Sequence, residues 1–336
     1  MKNRIPELLY KLLLIGAPLI LLFIYYVIKD PFKVLYTYKN YYEKESQYVY
    51  FNKDLITTET LIKQNPENHY DSYIFGNSRS YFFRVNEWKK YTGSEHIYHF
   101  NANDESLYGI YKKMIFLDEN NYDLKNALFI LDSKLLSMDE PNKGHIFIKH
   151  RVYTGQSWFD YQSEFLAAFF NPLFLTAYLD LQFTGKFKSY MKKVMSDKVY
   201  RWDAKHNEMF LDEEEMRITS DSTSYYNLKK KIFYERPTSE IESQEVLKDK
   251  NIFMLKKIKT ILTKHRTEYR IIISPLYDQL RINHNDFNKL VTVFGKEYVY
   301  DFSGKNIYTD NPGNYYEISH YRPLITKELL RITYEK

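Results

Sequence analysis

Short apolar strand patterns alternate with amphipathic helix patterns along this chain of 336 residues, and no other feature constrains the fold as strongly. Ala127–Leu131 is a continuous apolar run, which suits a strand buried on both faces of a parallel sheet. Apolar residues recur at helical spacing after Asp104 and again over Leu324–Ile332. The predicted strands are Ser72–Gly76, His96–Phe100, Ala127–Leu131, Arg270–Ser274 and Glu297–Phe302. We therefore expect an α/β domain over residues 69–336, built on a doubly wound parallel sheet.

Residues from about 140 to 245 interrupt the alternation, and we interpret them as a largely helical or irregular insertion. Phe165–Leu175 is apolar but contains Asn171-Pro172, and it is too short to cross a bilayer. This run could form a lid, rest on a membrane or pack between helices, and the last is the commonest fate of such a run. Trp202–Pro237 is polar and charged, so we expect it at the surface.

An uncharged apolar segment near the N-terminus predicts a transmembrane helix. Leu12–Ile28 carries no charge, and Leu8–Tyr10 extends it past Lys11, whose ammonium can reach the membrane interface. Together they reach the ~20 residues that a membrane-spanning helix needs. A cleaved signal peptide would need a small-x-small cleavage site after the run, and none follows.

The charges around this segment give it a direction. Lys2, Arg4 and Lys11 precede or interrupt the start of the segment, which favours a cytoplasmic N-terminus. We therefore predict a signal-anchor in residues 1–30 and a tether or approach segment in 31–68. The rest of the chain would then lie outside the cytoplasm, on the periplasmic or extracellular side of a single-pass membrane protein.

Composition excludes several classes of site. The chain has no cysteine, so disulfides, thiolate nucleophiles and cysteine metal sites are absent. Its net charge is only +5, and acidic and basic residues are interspersed, so we expect no nucleic-acid partner. His96 and His99 are three apart in a predicted strand and point to opposite faces, which argues against a shared metal. We predict no metal and no cofactor.

Two short segments far apart in the chain carry residues for acyl transfer. Gly76-Asn77-Ser78-Arg79-Ser80 follows the first predicted strand, and Glu317-Ile318-Ser319-His320 lies near the C-terminus. A serine hydroxyl becomes a good nucleophile when a histidine takes its proton, and the histidine works best when a carboxylate holds its ring. Ser80 is the alternative nucleophile, and either serine could instead cap the following helix.

Gly76-Asn77-Ser78 resembles the Gly-Asp-Ser block of the SGNH (GDSL-like) hydrolases, and Glu317-x-x-His320 resembles their terminal Asp-x-x-His block. With the N-terminal anchor, the layout is most similar to membrane-anchored SGNH-like proteins that modify bacterial cell-surface polymers. The resemblance covers roughly residues 70–135 and 245–336 and implies a flavodoxin-like sheet. It also implies that Ser78 is the nucleophile, that His320 is the general base and that Glu317 orients the imidazole.

The chain departs from the family pattern in the oxyanion hole. The backbone N–H of Ser78 would supply one donor, but the family's glycine and Gly-x-Asn pattern are missing after the second and third predicted strands. Asn101 or Asn103 is the candidate substitute, because a side-chain amide can donate to a developing oxyanion. The family acid is usually aspartate, and this chain has Glu317 instead.

Three charged residues beside these motifs are candidates for substrate binding. Arg79 follows the candidate nucleophile and Arg322 follows the candidate base, so either could bind an anionic group on a polymer or form an ordinary ion pair. Asp132 ends the third predicted strand and could hold a substrate hydroxyl or the insertion. Tyr277 and Asp278 follow the fourth strand and could line the site.

The resemblance implies a membrane-anchored acyltransferase or esterase that acts on a cell-surface polysaccharide or related polymer through a serine acyl-enzyme. It also implies a multi-spanning partner that carries the acyl group across the membrane. The alternative is a catalytically inactive SGNH-like scaffold in a polysaccharide synthesis or export complex, which the missing oxyanion blocks favour. A third hypothesis is a sugar-binding surface protein that uses its 34 tyrosines.

Overall fold

A computed structural model describes residues 4–42, 48–140, 142–197 and 200–335, without the side chains of residues 4–9 and 12–15. The α-helices are α1 (Arg4–Lys29), α2 (Lys53–Asn68), α3 (Val85–Thr92), α4 (Leu107–Glu119), α5 (Ser133–Ser137), α6 (Arg151–Thr154), α7 (Trp158–Phe169), α8 (Pro172–Thr184), α9 (Asp212–Ser220), α10 (Ser222–Leu228), α11 (Asp249–Lys264), α12 (His284–Phe294) and α13 (Pro323–Tyr334). The β-strands are β1 (Ser72–Gly76), β2 (Ile97–His99), β3 (Asn126–Leu131), β4 (Arg201–Asp203), β5 (Glu208–Phe210), β6 (Ile241–Glu242), β7 (Glu268–Ile273), β8 (Leu280–Arg281), β9 (Val299–Asp301), β10 (Tyr315–Glu317) and β11 (His320–Tyr321). A 3-10 helix, Ser78–Phe82, follows β1, and three others cover Ser189–Lys193, Lys296–Tyr298 and Pro312–Asn314.

The chain divides into two compact units. Residues 1–51 and 156–198 form one, which we call the helical unit, and residues 52–155 and 199–336 form the other, the α/β unit. The α/β unit includes α2, which lies in the predicted approach segment, and it also includes the second half of the predicted insertion.

Five strands of the α/β unit form one parallel sheet in the order β2-β1-β3-β7-β9. Counted within the sheet, this is the order 2-1-3-4-5 that flavodoxin-like sheets share. The prediction of an α/β fold with a parallel sheet is confirmed, and each predicted strand corresponds to one strand of this sheet. The order reverses between β1 and β3, so the carboxyl ends of these neighbours flank the crevice where such sheets bind ligands.

Helices cover both faces of the sheet. Alternate side chains of a strand point to opposite faces, and on each face they form an apolar core with the helices. Tyr73 and Phe75 of β1 pack into the core that α4, α11 and α12 complete. Ile74 packs into the opposite core, with Trp88 of α3 and Leu329 of α13. Burial on both sides explains why these strands read as continuous apolar runs in the sequence.

Gly76 ends β1 with a φ of +150°, a conformation that residues with a side chain rarely adopt. A Cβ atom at this position would lie 2.7 Å from the carbonyl oxygen of Ile130 on β3. Because backbone cannot move aside cheaply inside a sheet, strain and crowding act together at this site. Glycine is therefore what allows the chain to leave β1 close beside β3.

We expect Gly76→Ala to lower the free energy of unfolding by about 2–4 kcal/mol, measured by urea denaturation. Gly93→Ala is the matched control, because Gly93 also has a positive φ of +67° but has open space where a Cβ would be. The control should lose about 1 kcal/mol from backbone strain alone. Equal losses at the two positions would show that the close approach to β3 has no energetic weight.

Four charged side chains form a buried ion cluster in the α/β unit: Asp54 of α2, Glu105, Lys113 of α4 and Lys149. Each side chain is at most 1% exposed. Glu105 Oε2 lies 2.6 Å from Lys113 Nζ, Glu105 Oε1 lies 2.5 Å from Lys149 Nζ, and Lys113 also reaches Asp54 Oδ2 at 3.0 Å. Lys113 Nζ further donates to the carbonyl oxygen of Asn101. The cluster therefore fixes the segment that follows β2.

Burial alone would raise the pKa of the Asp54 carboxyl, because a charge is poorly solvated in the interior. The positive charges of Lys113 and Lys149 outweigh this effect, helped by a hydrogen bond from Tyr153, and lower the pKa to about 2. The Asp54 carboxyl therefore stays ionised at neutral pH despite its burial.

The helical unit packs α7 and α8 against the end of α1 and the segment after it. The ring of Phe32 lies 4.8 Å from that of Phe174 and 6.1 Å from that of Phe165, and Tyr26 lies 5.0 Å from Phe169. These three phenylalanines of the Phe165–Leu175 run are buried. Of the three alternatives for the Phe165–Leu175 run, these side chains therefore follow packing between helices.

The predicted membrane span coincides with α1. Part of that prediction, over residues 8–9 and 12–15, falls on side chains outside the described residues. Among the helices as far as they are described, none combines the length and the hydropathy that crossing a membrane requires.

Candidate active site

Ser78 lies at the carboxyl end of β1, as the first residue of the 3-10 helix Ser78–Phe82. Asn77 caps this helix, and its side-chain oxygen accepts a hydrogen bond from the backbone N–H of Arg79 at 3.1 Å. A residue at the first helical position has no carbonyl partner for its own N–H within the helix. The Ser78 N–H is therefore suited to donate to an oxyanion beside the Ser78 hydroxyl.

Glu317 and His320 face each other across a two-residue turn, because β10 and β11 form an antiparallel hairpin in which they are paired. The turn is fixed from within, since Ser319 N–H donates to Glu317 Oε2 at 2.7 Å. Their spacing in the sequence is thus the spacing of a tight hairpin. The strand pattern of this hairpin was not part of the sequence prediction.

The hairpin brings the acid and the histidine to Ser78. His320 Nε2 lies 2.8 Å from Ser78 Oγ, and His320 Nδ1 is hydrogen-bonded to Glu317 Oε1. With the Nδ1 proton donated to the carboxylate, Nε2 is the nitrogen that can accept the serine proton. The ring of Phe82 packs edge-on against the imidazole at 5.5 Å. The three residues predicted to be catalytic are therefore in mutual contact, in the order serine, histidine, acid.

Asp132, at the carboxyl end of β3, joins the nucleophile turn to the hairpin through Arg79. Its Oδ2 accepts from Asn77 Nδ2 at 2.7 Å and from Arg79 Nη1 at 2.7 Å. Arg79 Nε in turn donates to the carbonyl oxygen of Ser319 at 3.1 Å. Arg79 and Asp132 thus form an ion pair within the protein, which is one of the two alternatives that the sequence left open for Arg79. We call these contacts the Asp132–Arg79 bridge.

We expect Asp132→Asn to slow covalent modification of Ser78 by about 10–100-fold, because the amide would present a donor to Arg79 and Asn77 and shift the hairpin. The measurement is the rate constant for labelling by a fluorophosphonate at saturating probe. Asp301→Asn is the control, since Asp301 ends the edge strand β9 and its side chain accepts hydrogen bonds from the nearby Ser303. An unchanged rate in Asp132→Asn would mean that the bridge does not position the site.

Among the described residues, neither asparagine predicted for the oxyanion hole is hydrogen-bonded to Ser78. Asn101 is fully buried, and its Nδ2 donates to Ser80 Oγ at 3.0 Å. Ser80 is also fully buried and donates to the carbonyl oxygen of Asn77 at 2.7 Å, so it stabilises the turn that carries Ser78. Asn103 lies in a half-buried turn. A role of Asn101 or Asn103 as oxyanion donor therefore stays a prediction.

Arg322 is paired with Glu215 of α9, at 2.7 Å between Nη2 and Oε2. Tyr316 of β10 donates its hydroxyl to the same carboxylate at 2.6 Å, and Tyr225 of α10 donates to the Tyr316 carbonyl at 3.0 Å. Helices of the predicted insertion thus hold the hairpin that carries His320. The sequence analysis did not predict the contact of Glu215 with Arg322. Glu215 belongs to a run of four acidic residues that is typical of a solvent-exposed surface, and no local sequence signal indicates its partner.

A cavity of about 470 Å³ lies in the α/β unit near this hairpin. One of its lining residues, Tyr277, packs its ring 5.5 Å from that of Tyr315 on β10. Tyr277 thus lines a cavity, whereas Asp278 bonds to the backbone of Leu280. The lining is mixed in charge and polarity: Tyr234, Glu235, Arg236, Pro237, Thr238, Tyr277, Gln279, Lys305 and Asp310.

Within the described residues, no three histidine, aspartate or glutamate side chains are grouped so that they could hold a metal ion. Comparison with known proteins adds no assignment: no protein-family model matches the sequence, and neither does any curated protein.

Proposed function

We propose that this protein is a serine-dependent acyltransferase or esterase of the SGNH-like kind. The observation that supports it is the contact of 2.8 Å between Ser78 Oγ and His320 Nε2, with Glu317 on the other ring nitrogen. An imidazole in this position can take the serine proton as the hydroxyl attacks, and the carboxylate stabilises the imidazolium that forms.

The reaction would proceed in two balanced steps. Ser78 Oγ attacks the acyl carbonyl of the donor, its proton moves to His320 Nε2, and the donor C–O bond breaks as that proton passes to the leaving group. A sugar hydroxyl, or water in an esterase, then attacks the acyl-serine and gives its proton to His320 Nε2. His320 passes this proton to Ser78 Oγ as the bond between that oxygen and the acyl carbon breaks, which restores the free serine and the neutral imidazole. The backbone N–H of Ser78 would donate to the oxyanion in both steps.

The substrate and location in this proposal come from the sequence resemblance. We propose a cell-surface polysaccharide or related polymer as acceptor, anchoring by the N-terminal apolar helix with the α/β unit outside the cytoplasm, and a multi-spanning partner that delivers the acyl group. Transfer rather than hydrolysis rests on the resemblance alone.

A second candidate is an inactive SGNH-like scaffold, and one observation favours it. Asn101, the candidate side-chain donor for the oxyanion, is committed to Ser80. Loss of one oxyanion donor typically lowers the catalytic rate by ~10²–10³. A protein with the Ser78–His320 contact but without that donor would therefore turn over its substrate very slowly.

Labelling the full chain in detergent with a fluorophosphonate, followed by intact mass, tests the enzyme against the scaffold. We expect one adduct on the wild type and none on Ser78→Ala. Ser80→Ala is the matched control, because Ser80 lies two residues away but is fully buried, and it should keep the adduct. A folded wild type without an adduct would contradict the proposal and favour the scaffold.

A further inference from the structure

α1 leaves a broad apolar surface uncovered. Within ten residues, six of its apolar side chains are between 47% and 70% exposed: Leu19, Ile20, Leu21, Phe23, Ile24 and Ile28. Contiguous exposed apolar surface of this kind marks contact with a partner or with lipid. Since the proposed function already places this helix in a bilayer, lipid is the partner that its surface fits.

The contacts of α1 fix the depth of α7 and α8. The ring of Tyr25 lies 6.3 Å from that of Tyr178 on α8, and Tyr26 lies 5.0 Å from Phe169 on α7. Tyr25 and Tyr26 are in the last turns of the predicted span, where tyrosines usually mark the membrane interface. If Tyr25 and Tyr26 lie at the membrane interface, then Tyr178 and Phe169, whose rings contact theirs, lie at nearly the same depth in the bilayer.

The two helices have the composition that an interface position requires. No charged residue lies between Glu164 and Asp180, a stretch that includes the end of α7 and most of α8. Leu173 at the start of α8 is 40% exposed and Phe183 at its end is 84% exposed. Phe183 is thus largely exposed and Leu173 partly exposed, although the other face of α8 is buried.

Basic residues follow this apolar surface directly. Lys186, Lys188, Lys192 and Lys193 come within ten residues of Phe183, and no acidic residue lies between Phe183 and Ser196. Two of them are in ion pairs, Lys188 with Asp180 at 2.7 Å and Lys192 with Asp197 at 2.8 Å. Lysines beside inserted aromatic side chains suit a surface of anionic headgroups, and Lys186 and Lys193 are the candidates for such contacts.

We propose that the end of α7 and the whole of α8 lie in the headgroup region of the bilayer, with Leu173 and Phe183 inserted among the lipids. The helical unit would then be an interfacial platform as well as an anchor. This inference rests on the proposed anchoring by α1 and is independent of the reactivity of Ser78.

Single-cysteine variants of the full chain test this directly, because the protein has no cysteine of its own. Phe183→Cys, Leu21→Cys and Leu228→Cys would each carry an environment-sensitive NBD fluorophore in liposomes of phosphatidylcholine and phosphatidylglycerol. Leu228 is the matched control, since it is 84% exposed like Phe183 but belongs to the α/β unit. Quenching by nitroxide lipids and by aqueous iodide is measured at each position.

We expect lipid nitroxides placed near the headgroup to quench the probe at 183 at least twofold more than the probe at 228, with iodide quenching reversed. Iodide quenching at 183 equal to that at 228, with position 21 still reached by lipid, would overturn the inference and leave the anchor intact. A probe at 183 that neither quencher reaches would show that protein covers it, which also overturns the inference. Iodide quenching at both positions 21 and 183 would overturn the membrane anchor as well. The fluorophosphonate labelling of Ser78 would still test the proposed enzyme independently of the anchor.

Discussion

Replacing His320 with alanine should slow fluorophosphonate labelling of Ser78 by about 10⁴–10⁶-fold, because removal of the base leaves the hydroxyl protonated as it attacks. His320 Nε2 is the nitrogen within hydrogen-bond distance of Ser78 Oγ. Labelling rates of the full chain, followed by intact mass over hours, measure the change. The effect is large because it acts on the attacking atom itself.

A second histidine provides the control for this result. His284 also bonds to a carboxylate, with 2.8 Å between its Nδ1 and Glu242 Oε1, but it is exposed and remote in sequence from both motifs. His284→Ala should label at the wild-type rate. Equal rates for His320→Ala and wild type would mean that Ser78 is not activated by this histidine, whatever their distance.

Replacing Glu105 with glutamine should lower the free energy of unfolding by about 3–5 kcal/mol, measured by urea denaturation. Glu105 makes the shorter contacts with both lysines, at 2.6 Å to Lys113 and 2.5 Å to Lys149, whereas Asp54 lies 3.0 and 3.7 Å from the same nitrogen atoms. The side chains of Glu105 and of the two lysines have no exposed surface. Its neutralisation would leave two buried ammonium groups facing Asp54 alone. Breaking a buried ion pair on one side is costly because the uncompensated charge stays buried.

The control for this prediction is an ion pair at the surface. Glu95 carries its carboxylate 2.5 Å from Lys89 Nζ, and both side chains are well exposed. Glu95→Gln should leave the urea midpoint nearly unchanged, since water solvates both partners after the pair is broken. If Glu105→Gln behaves like Glu95→Gln, the buried cluster is not a stabilising element of the fold.

The sequence was sufficient to predict the sheet, because its inner strands β1 and β3 are buried almost throughout and carry continuous apolar runs, whereas the edge strand β9 is partly exposed. It also led to Ser78 and His320 as candidates, since a glycine turn after a strand and an acid three residues before a histidine are local signals. The helix after β2 begins at Leu107 rather than Asp104, because Ser106 caps it by accepting from Gly109 N–H. The spacing of apolar residues does not determine where this helix begins, whereas the cap formed by Ser106 does.

Long-range pairing of polar groups could not be predicted. Asn101 does follow β2, at the edge of the sheet that carries the site, but its amide turns to Ser80, which only the packing behind the turn determines. For Arg79 the sequence left open a substrate anion or an ordinary ion pair, and it did not indicate that the partner would be Asp132. A local pattern gives the type of a polar side chain and its place along a strand, whereas its partner depends on which distant segment folds beside it.

The hairpin of β10 and β11 makes the contact of Ser78 with His320 a property of the tertiary fold. The two residues are 242 positions apart, so their side chains meet only in a chain that has closed a loop of this length. An opening that moved the hairpin away from the turn after β1 would separate them, while the sheet, to which neither hairpin strand belongs, could persist. The labelling rate of Ser78 would then report the docking of the hairpin, a local event that spectroscopic measures of secondary structure would not detect.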